Sequence, residues 1–313
     1  MKEEFFVEVT KEDAVRKIRI DAFLSEKFED FSRTYIKKLI TDGDITIDGK
    51  EVKSNYIIKE NDEIILEIEP PSELEVEPEN IPIDILYEDD DIVIVNKKKG
   101  LVVHPAPGNY SGTLVNALLY NCKGKLSGIN GVLRPGIVHR LDKNTEGILV
   151  VAKSSIAHER LTDLFKVHDI TRKYHAIVCG NFNEDEGTVD APIGRSDRDR
   201  KKMAVNMKNS KRAVTHYKVL ERYGKYTYIE CMLETGRTHQ IRVHMASIHH
   251  PLLGDDIYGS VQNEFNIEGQ MLIAKVLGFV HPITNKYVEF EIELSNEFKK
   301  ILEKIKNKYG VEG

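Results

Sequence analysis

The chain has 313 residues, 41% of them hydrophobic and 31% charged, with a formal net charge of −6. This is the composition of a soluble globular protein with room for one large domain and a smaller one. No apolar run approaches a membrane span, the N-terminus has no apolar signal-peptide core, and three scattered cysteines (Cys122, Cys179, Cys231) suggest reduced thiols in a cytoplasmic protein rather than a disulfide framework or a zinc site.

The charge is unevenly spread. Residues 69–91 hold ten acids and no Lys or Arg, whereas residues 92–313 hold 33 Lys and Arg against 24 Asp and Glu. A basic C-terminal lobe fits a polyanionic partner.

Residues 1–16 read as an N-terminal extension and residues 17–69 as a small domain. Asp21–Glu29 and Ser32–Thr41 have helical periodicity; Ser32 is a good N-cap and Gly43 a stop. A strand at Ile45–Asp48, an Asp48-Gly49 turn and a strand at Glu63–Glu69 follow. Ile36, Leu39 and Ile40 form the buried stripe of the second helix. Arg33, Lys37 and Lys38 cluster on its other side, with Lys50 and Lys53 in the next turn. Such a basic helix and turn can straddle a phosphate backbone, and can equally be a solvated face. The run from Ile20 through SRTYIKKLITDGDITIDGKEV to Ile64 resembles an S4 RNA-binding domain, with Asn61-Asp62 where the family has Gly-Asp. The resemblance implies that these five cations contact RNA.

Residues 70–82 contain four of the ten prolines beside several acids and read as an extended linker. The large domain, 83–313, opens with Ile83–Tyr87, a turn at 88–91 and a strand at Ile92–Asn96. Gly100–Asn109 reads as a strand entering a Pro/Gly loop, and Thr113–Tyr120 as a helix. An apolar β-branched strand, Gly147–Lys153, and an amphipathic helix, Ser155–Val167, come next. Arg172–Gly180 alternates as a strand with Tyr174, Ala176 and Val178 on one face. Residues 195–212 carry eight Lys and Arg against two acids and read as an exposed, mobile loop or loose hairpin, in which Lys201 and Lys202 are candidate phosphate contacts. Long strands at Ala213–Arg222 and Lys225–Glu234 lead to a helix capped by Thr238 and running to about Ala246. A loop at Leu253–Gly259, strands at Met271–Val280 and Tyr287–Leu294, and a helix at Asn296–Lys308 close the chain. Hairpin-linked strands with helices between them predict an α+β domain on a mixed, mainly antiparallel sheet.

The chemistry narrows by elimination. His239, His244 and His249 are five apart, about 140° per step round a helix, and do not converge on a metal with Asp255 and Asp256. No G-x-S-x-G elbow, Walker motif or G-x-G-x-x-G fingerprint occurs. A second carboxylate to make a glycosidase pair with Asp142 is not evident. What remains is Asp142 in a cationic turn before a core strand. Local sequence allows an Asx-turn residue there as readily as a carboxylate aimed over a cleft.

Here a second resemblance is specific. HRLDKNTEGILVVAK is similar to the H-R-L-D-x-x-T-S-G-L motif of the RluA-type pseudouridine synthases, with Glu146 where Ser is usual and Ile148 where Leu is usual. GLVVHPAPGN, RKYHAIVCG, LETGRTHQIRVH and GDDIYG resemble further family segments in family order, and the S4-first arrangement resembles the RluD branch, which modifies large-subunit ribosomal RNA. The resemblance implies isomerisation of uridine to pseudouridine without a cofactor. It makes Asp142 the catalytic group, acting at C1′ or C2′ of the ribose. It places Arg237 beside Asp142 to keep it ionised, Tyr174 on the extruded base and Arg140 against the RNA. His139, Gln240 and Arg242 enter as motif members, with a structural role left open beside a chemical one. The partner implied is ribosomal RNA or an assembling large subunit, and the default oligomeric state is monomer. Two alternatives stand beside this: an RNA-binding assembly protein without catalysis, and a glycosylase that would release free base.

Overall fold

The structure, a computed structural model, describes residues 3–28, 31–68, 76–106, 108–129, 131, 134–197, 199, 202–260 and 263–310. The chain divides into two compact units, Met1–Glu73 and Leu74–Gly313.

The first unit contains β1 (Glu3–Glu8), α1 (Lys11–Val15), α2 (Ile20–Lys27), α3 (Arg33–Asp42), β2 (Ile45–Ile47), β3 (Lys50–Glu51) and β4 (Glu63–Ile68). Ser32 caps α3 by accepting the N–H of Tyr35, and Gly43 closes it in the left-handed conformation at φ 81°, as a helix stop requires. Ile36, Leu39 and Ile40 of α3 bury against Phe23 and Leu24 of α2 and Ile64 and Leu66 of β4. The segment expected as an N-terminal extension is part of this unit. β1 pairs antiparallel with β4 along its length, from Glu3 opposite Ile68 to Glu8 opposite Glu63. Its alternating Phe5 and Val7 pack on the core, so a period-two strand signal within six residues explains the difference.

The second unit contains β5 (Asp84–Glu88), β6 (Ile92–Lys97), α4 (Leu114–Asn121), β7 (Glu146–Ala152), α5 (Ser155–Val167), β8 (Thr171–Cys179), β9 (Glu186–Asp190), β10 (Ile193–Arg195), β11 (Met203–Val205), β12 (Ser210–Lys211), β13 (Val214–Arg222), β14 (Tyr226–Leu233), α6 (Gln240–Ser247), β15 (Leu272–Val280), β16 (Tyr287–Glu291) and α7 (Asn296–Tyr309). The main sheet runs β5-β6-β7-β15-β8-β14-β13-β9, with β16 also on β15. Its pairings are antiparallel except β7 with β15. The fold is thus α+β on a mixed, mainly antiparallel sheet.

Ile92–Val95 of β6 and Ile148–Ala152 of β7 are apolar without alternation because both of their faces are covered. Ile92, Ile94, Ile148 and Val150 face α5 and α7 through Leu161, Phe298 and Ile301. Val93, Val95, Leu149 and Val151 face α4 through Leu114, Val115 and Leu118. β8 holds one edge of β15 from Leu272 to Gly278, so β7 and β16 share its other edge, β7 at the start and β16 at the end. At that start Gly147, at φ 116°, lies so close to Ala274 that any Cβ would strike the Ala274 backbone. The glycine therefore sets how closely β7, and the turn before it, approaches the middle of the sheet.

Several sequence expectations change. Residues 101–104 form no strand; the carbonyls of Val102 and Val103 instead accept the N–H groups of Leu114 and Val115 and seat the start of α4. The described part of the expected linker is docked: Asn116 Nδ2 donates to Glu77 O, Glu79 N–H donates to Asn116 O, and Val76 packs on the core. Residues 69–75 lie outside the described residues. The basic stretch is a small sheet ordered β11-β10-β12 rather than a loose hairpin. Thr238 does not cap α6; His239 occupies the cap position at φ 58°, and its side chain makes no hydrogen bond to the helix end. Among the described residues no helix is long and apolar enough to cross a membrane.

Candidate active site

The turn before β7 is fixed from below. Thr145 N–H donates to Asp142 O at 3.1 Å. The carbonyl of Lys143 accepts both Gly100 N–H, at 2.9 Å, and Lys97 Nζ, at 3.0 Å. Lys97 is fully buried, and Nζ also donates to Lys98 O and Leu101 O. Burial pushes its pKa down to about 8, against the pull of Asp142 and Glu146. The buried Thr145 hydroxyl accepts Gln270 Nε2 at 2.9 Å. A turn tied at its carbonyls and at Thr145 holds its side chains still.

The Asp142 carboxylate does not close an Asx turn. It reaches α6, where Arg242 Nη1 donates to Oδ2 at 3.0 Å. Arg242 uses its other edge on Asp255, Nε to Oδ2 at 2.7 Å and Nη2 to Oδ1 at 2.8 Å. Asp255 is fully buried and also accepts the N–H groups of Ile257 and Tyr258. Burial works against the charge of Arg242, but its bonds to Asp255 and the charges of Asp255 and Asp142 outweigh that and raise its pKa. His239 completes the surround, with Nε2 3.8 Å from Asp142 Oδ1 and Nδ1 2.8 Å from the Tyr258 hydroxyl. Burial lowers the His239 pKa despite the nearby Asp142. The arrangement is one carboxylate open to a cleft, held by a guanidinium that a second, buried carboxylate holds in turn.

This corrects the expected place of Arg237. It lies on the turn before α6, and its Nε donates to Arg212 O at 2.9 Å. Arg242 sits inside the helix on the face turned to the core and is the cation in contact with Asp142. Gln240 is structural: its amide accepts Thr235 Oγ1 and Arg237 N–H and donates to Val214 O and Thr215 Oγ1, locking the turn to β13. His139 is structural as well, accepting Val150 N–H through Nε2 and stacking on Phe165. Burial, then the charge of Arg172, pushes its pKa down to about 3.

Asp142, Arg140, Tyr174, Arg237 and Arg242 line one cleft of about 420 Å³. A second hollow of about 360 Å³ on the other side of Asp142 shares Arg140, His239 and Arg242 and adds His104 and Asn144. Arg140 is exposed between the two. Burial raises the Tyr174 pKa, so its ring is a neutral apolar wall. The Glu146 carboxylate, four residues after Asp142, does not line the cleft and accepts Ser295 Oγ at 2.7 Å.

A family model described as RNA pseudouridylate synthase matches residues 91–247, the stretch that carries Asp142, Tyr174 and Arg242. The chain belongs to the RNA pseudouridylate synthase family. An S4 domain model matches residues 18–64 of this synthase chain. It is 48% identical over 300 residues to an uncharacterised RNA pseudouridine synthase of Bacillus subtilis (strain 168), covering 96% of this chain and 98% of that protein. It is 47% identical to a ribosomal large subunit pseudouridine synthase D of Zymomonas mobilis, covering 90% and 92%. Human RNA pseudouridylate synthase domain containing 1 superposes with a TM-score of 0.57 at 26% identity, covering 76% of this chain and 98% of that one.

In the S4 unit of the synthase, two of the five candidate RNA-binding cations are committed to one acid. Asp21, fully buried, accepts Arg33 Nε and Nη2 at 3.1 Å each, Arg19 Nε at 3.1 Å, and has Lys37 Nζ at 3.4 Å. Burial would raise the Asp21 pKa, but the bonds and charge of Arg33, with Arg19 and Lys37, bring it below the usual carboxylate value. Lys38, Lys50 and Lys53 are exposed. In the large unit Lys202 Nζ donates to Ile257 O at 2.9 Å, tying the small sheet to the loop that carries Asp255. Lys201 lies outside the described residues.

The sequence reading did not find Asp255, Tyr258, Arg19 or Asp21. Asp255 and Tyr258 stood in the GDDIYG segment, but nothing local says that Asp255 pairs with a helix thirteen residues before it. Asp21, one acid among many on a net acidic domain, had no distinguishing signal.

Proposed function

We propose that this enzyme isomerises uridine to pseudouridine in large-subunit ribosomal RNA, with Asp142 as its catalytic carboxylate. The observation that carries the reading is the Asp142–Arg242–Asp255 chain at the floor of a cleft walled by Tyr174. The cleft has the size of small-molecule sites and takes one nucleotide turned out of its stack. The Tyr174 ring supports the base by stacking. Asp142 meets the ribose, and Arg242, donating Nη1 to its Oδ2, holds the carboxylate in place. The N1–C1′ bond breaks, the uracil turns while held, and C5 bonds to C1′; the proton leaves C5 and N1 gains one, so no redox partner or cofactor enters the balance. Exposed Arg140, between the two hollows, holds the extruded strand. Lys38, Lys50 and Lys53, with Arg33 and Lys37 held by Asp21, give the S4 unit its phosphate contacts. The ribosomal substrate is supported by the likeness to the ribosomal large subunit pseudouridine synthase D of Zymomonas mobilis and by the S4 match. We take the enzyme to work as a cytoplasmic monomer.

The test is to map pseudouridines in large-subunit ribosomal RNA from cells with and without the gene, by carbodiimide adduct and primer extension. Loss of one or a few stops, restored by the wild-type gene but not by Asp142→Asn, is the expected result. An unchanged map would overturn the ribosomal assignment.

A further inference from the structure

The cleft contains an arginine whose best hydrogen-bonding edge has no acceptor among the described residues. Arg172, on β8, is only 7% exposed, lines the cleft with Asp142 and Tyr174, and has Nε and Nη2 both shut from solvent and unpaired. Those atoms carry the parallel N–H pair along one side of a guanidinium. It is the same pair through which Arg242 grips both oxygens of Asp255. A buried cation with its bidentate edge empty is a costly arrangement that a fold does not keep without a compensating partner.

The surroundings hold Arg172 in the cleft and offer it no acid. Its guanidinium carbon lies 5.9 Å from the centre of the Phe165 ring. A Cβ at Gly236 would stand 2.6 Å from Nη1, so glycine there makes room for the side chain. Among the described residues the cleft lining has one acid, Asp142, which Arg242 already engages, against the cations Arg140, Lys166, Arg172, Arg237 and Arg242. Burial lowers the Arg172 pKa and the charge of Arg237 lowers it further. His168, on the same wall, has a buried Nδ1 without a partner. This wall is short of anionic oxygens.

We propose that Arg172 is a phosphate-binding residue, its Nε and Nη2 taking the two non-bridging oxygens of the phosphodiester beside the nucleotide that stacks on Tyr174. The proposal rests on the reading that RNA is the substrate. The geometry selects phosphate over the base. Two parallel N–H groups match two oxygens on one phosphorus, whereas the carbonyls of uracil are separated by the N3–H donor and cannot both meet them. It also selects a linkage close to the target. Arg172 and Tyr174 are alternate residues on one face of β8, about 7 Å apart along the strand. The edge is closed to solvent before RNA arrives, so binding turns the guanidinium towards the cleft.

The test uses the full-length enzyme and a synthetic RNA hairpin containing a mapped target uridine, made with a single methylphosphonate at each flanking linkage in turn. Tritium release from C5 and equilibrium binding of the hairpin are both read, for wild type, Arg172→Gln and Arg172→Lys. One flanking methylphosphonate is expected to weaken wild-type binding about tenfold or more, the scale of a lost charge-assisted bond, and to weaken the Gln variant less than twofold. The Lys variant, which keeps charge without the parallel pair, is expected between them and serves alone if the Gln variant does not fold. A wild type indifferent to every flanking methylphosphonate would overturn the proposal. So would penalties that multiply fully in the variants, since Arg172 would then act by packing alone. A hairpin that binds with this pattern but releases no tritium would refute the isomerase reading and leave the phosphate site standing.

Discussion

Arg242 stands a hundred residues beyond Asp142 in the chain and donates Nη1 to its Oδ2 at 3.0 Å, while its opposite edge is closed by Asp255. A cation held on both sides cannot turn away from Asp142. The arrangement separates two arginines of one motif. Arg242→Gln should lower the rate of tritium release by about a hundredfold or more, the scale seen when a preorganised charged donor is removed. Arg237→Gln, whose residue bonds Arg212 O rather than Asp142, should cost less than about tenfold. Equal losses in single-turnover rate would contradict the assignment of Arg242.

Asp255 acts through Arg242. Removing the guanidinium alone leaves a buried, unpaired carboxylate, a loss of about 3–5 kcal/mol. Arg242→Gln should therefore melt well below wild type, and adding Asp255→Asn should recover much of that loss without recovering activity. Chemical denaturation of the single and double variants checks this. A double variant no more stable than Arg242→Gln would mean that the two side chains do not depend on each other.

His139 gives the fold a pH dependence of known sign. Its folded pKa of about 3 lies below the 6.5 of free imidazole. Below pH 6.5 the unfolded chain takes up a proton that the folded ring refuses. The contribution is complete above pH 6.5 and is lost as the pH falls towards 3, by up to about 1.4 kcal/mol per pH unit. His139→Gln keeps an acceptor for Val150 N–H but does not titrate. Its stability should fall less steeply than wild type between pH 6.5 and 4.5, by about one proton; identical slopes would show that the ring protonates freely in the fold.

How much of this was legible in the sequence depends on how far the deciding contact reaches. Periodicity and caps are local, so α3 with Ser32 and Gly43, α5, and the apolar β7 were readable directly. The motif around Asp142 pointed to a carboxylate that the fold does place in the cleft. What sequence could not supply was pairing over distance: β1 on β4, Gly147 against Ala274, Arg242 rather than Arg237 beside Asp142, and Asp255 behind it. Arg237 and Arg242 share one short motif, and only the direction in which α6 presents each side chain decides between them. Charge counting misled in the S4 unit, where a single buried acid organises Arg19, Arg33 and Lys37.

That acid makes an unusual forecast. Replacing Asp21 by Asn removes a negative charge from beside the cations proposed to contact RNA, which simple charge arithmetic says should tighten binding. Because Asp21 also fixes the cations, Asp21→Asn should instead weaken RNA binding severalfold. It should also destabilise the first unit by about 1–3 kcal/mol, discounted because the cations are half-exposed. Hydrogen exchange should quicken in residues 20–68 and not in the second unit. Tighter RNA binding by the variant would rule out the organising role.

The proposed chemistry rests on one carboxylate, Asp142. Its most direct test is tritium release from ribosomal RNA labelled at uracil C5, comparing wild type with Asp142→Asn, which keeps the side chain's size and a bond to Arg242 but removes its charge. Release by wild type with loss of at least about a thousandfold in the folded, RNA-binding variant is the result the account predicts. Release by Asp142→Asn at a rate near wild type would contradict it.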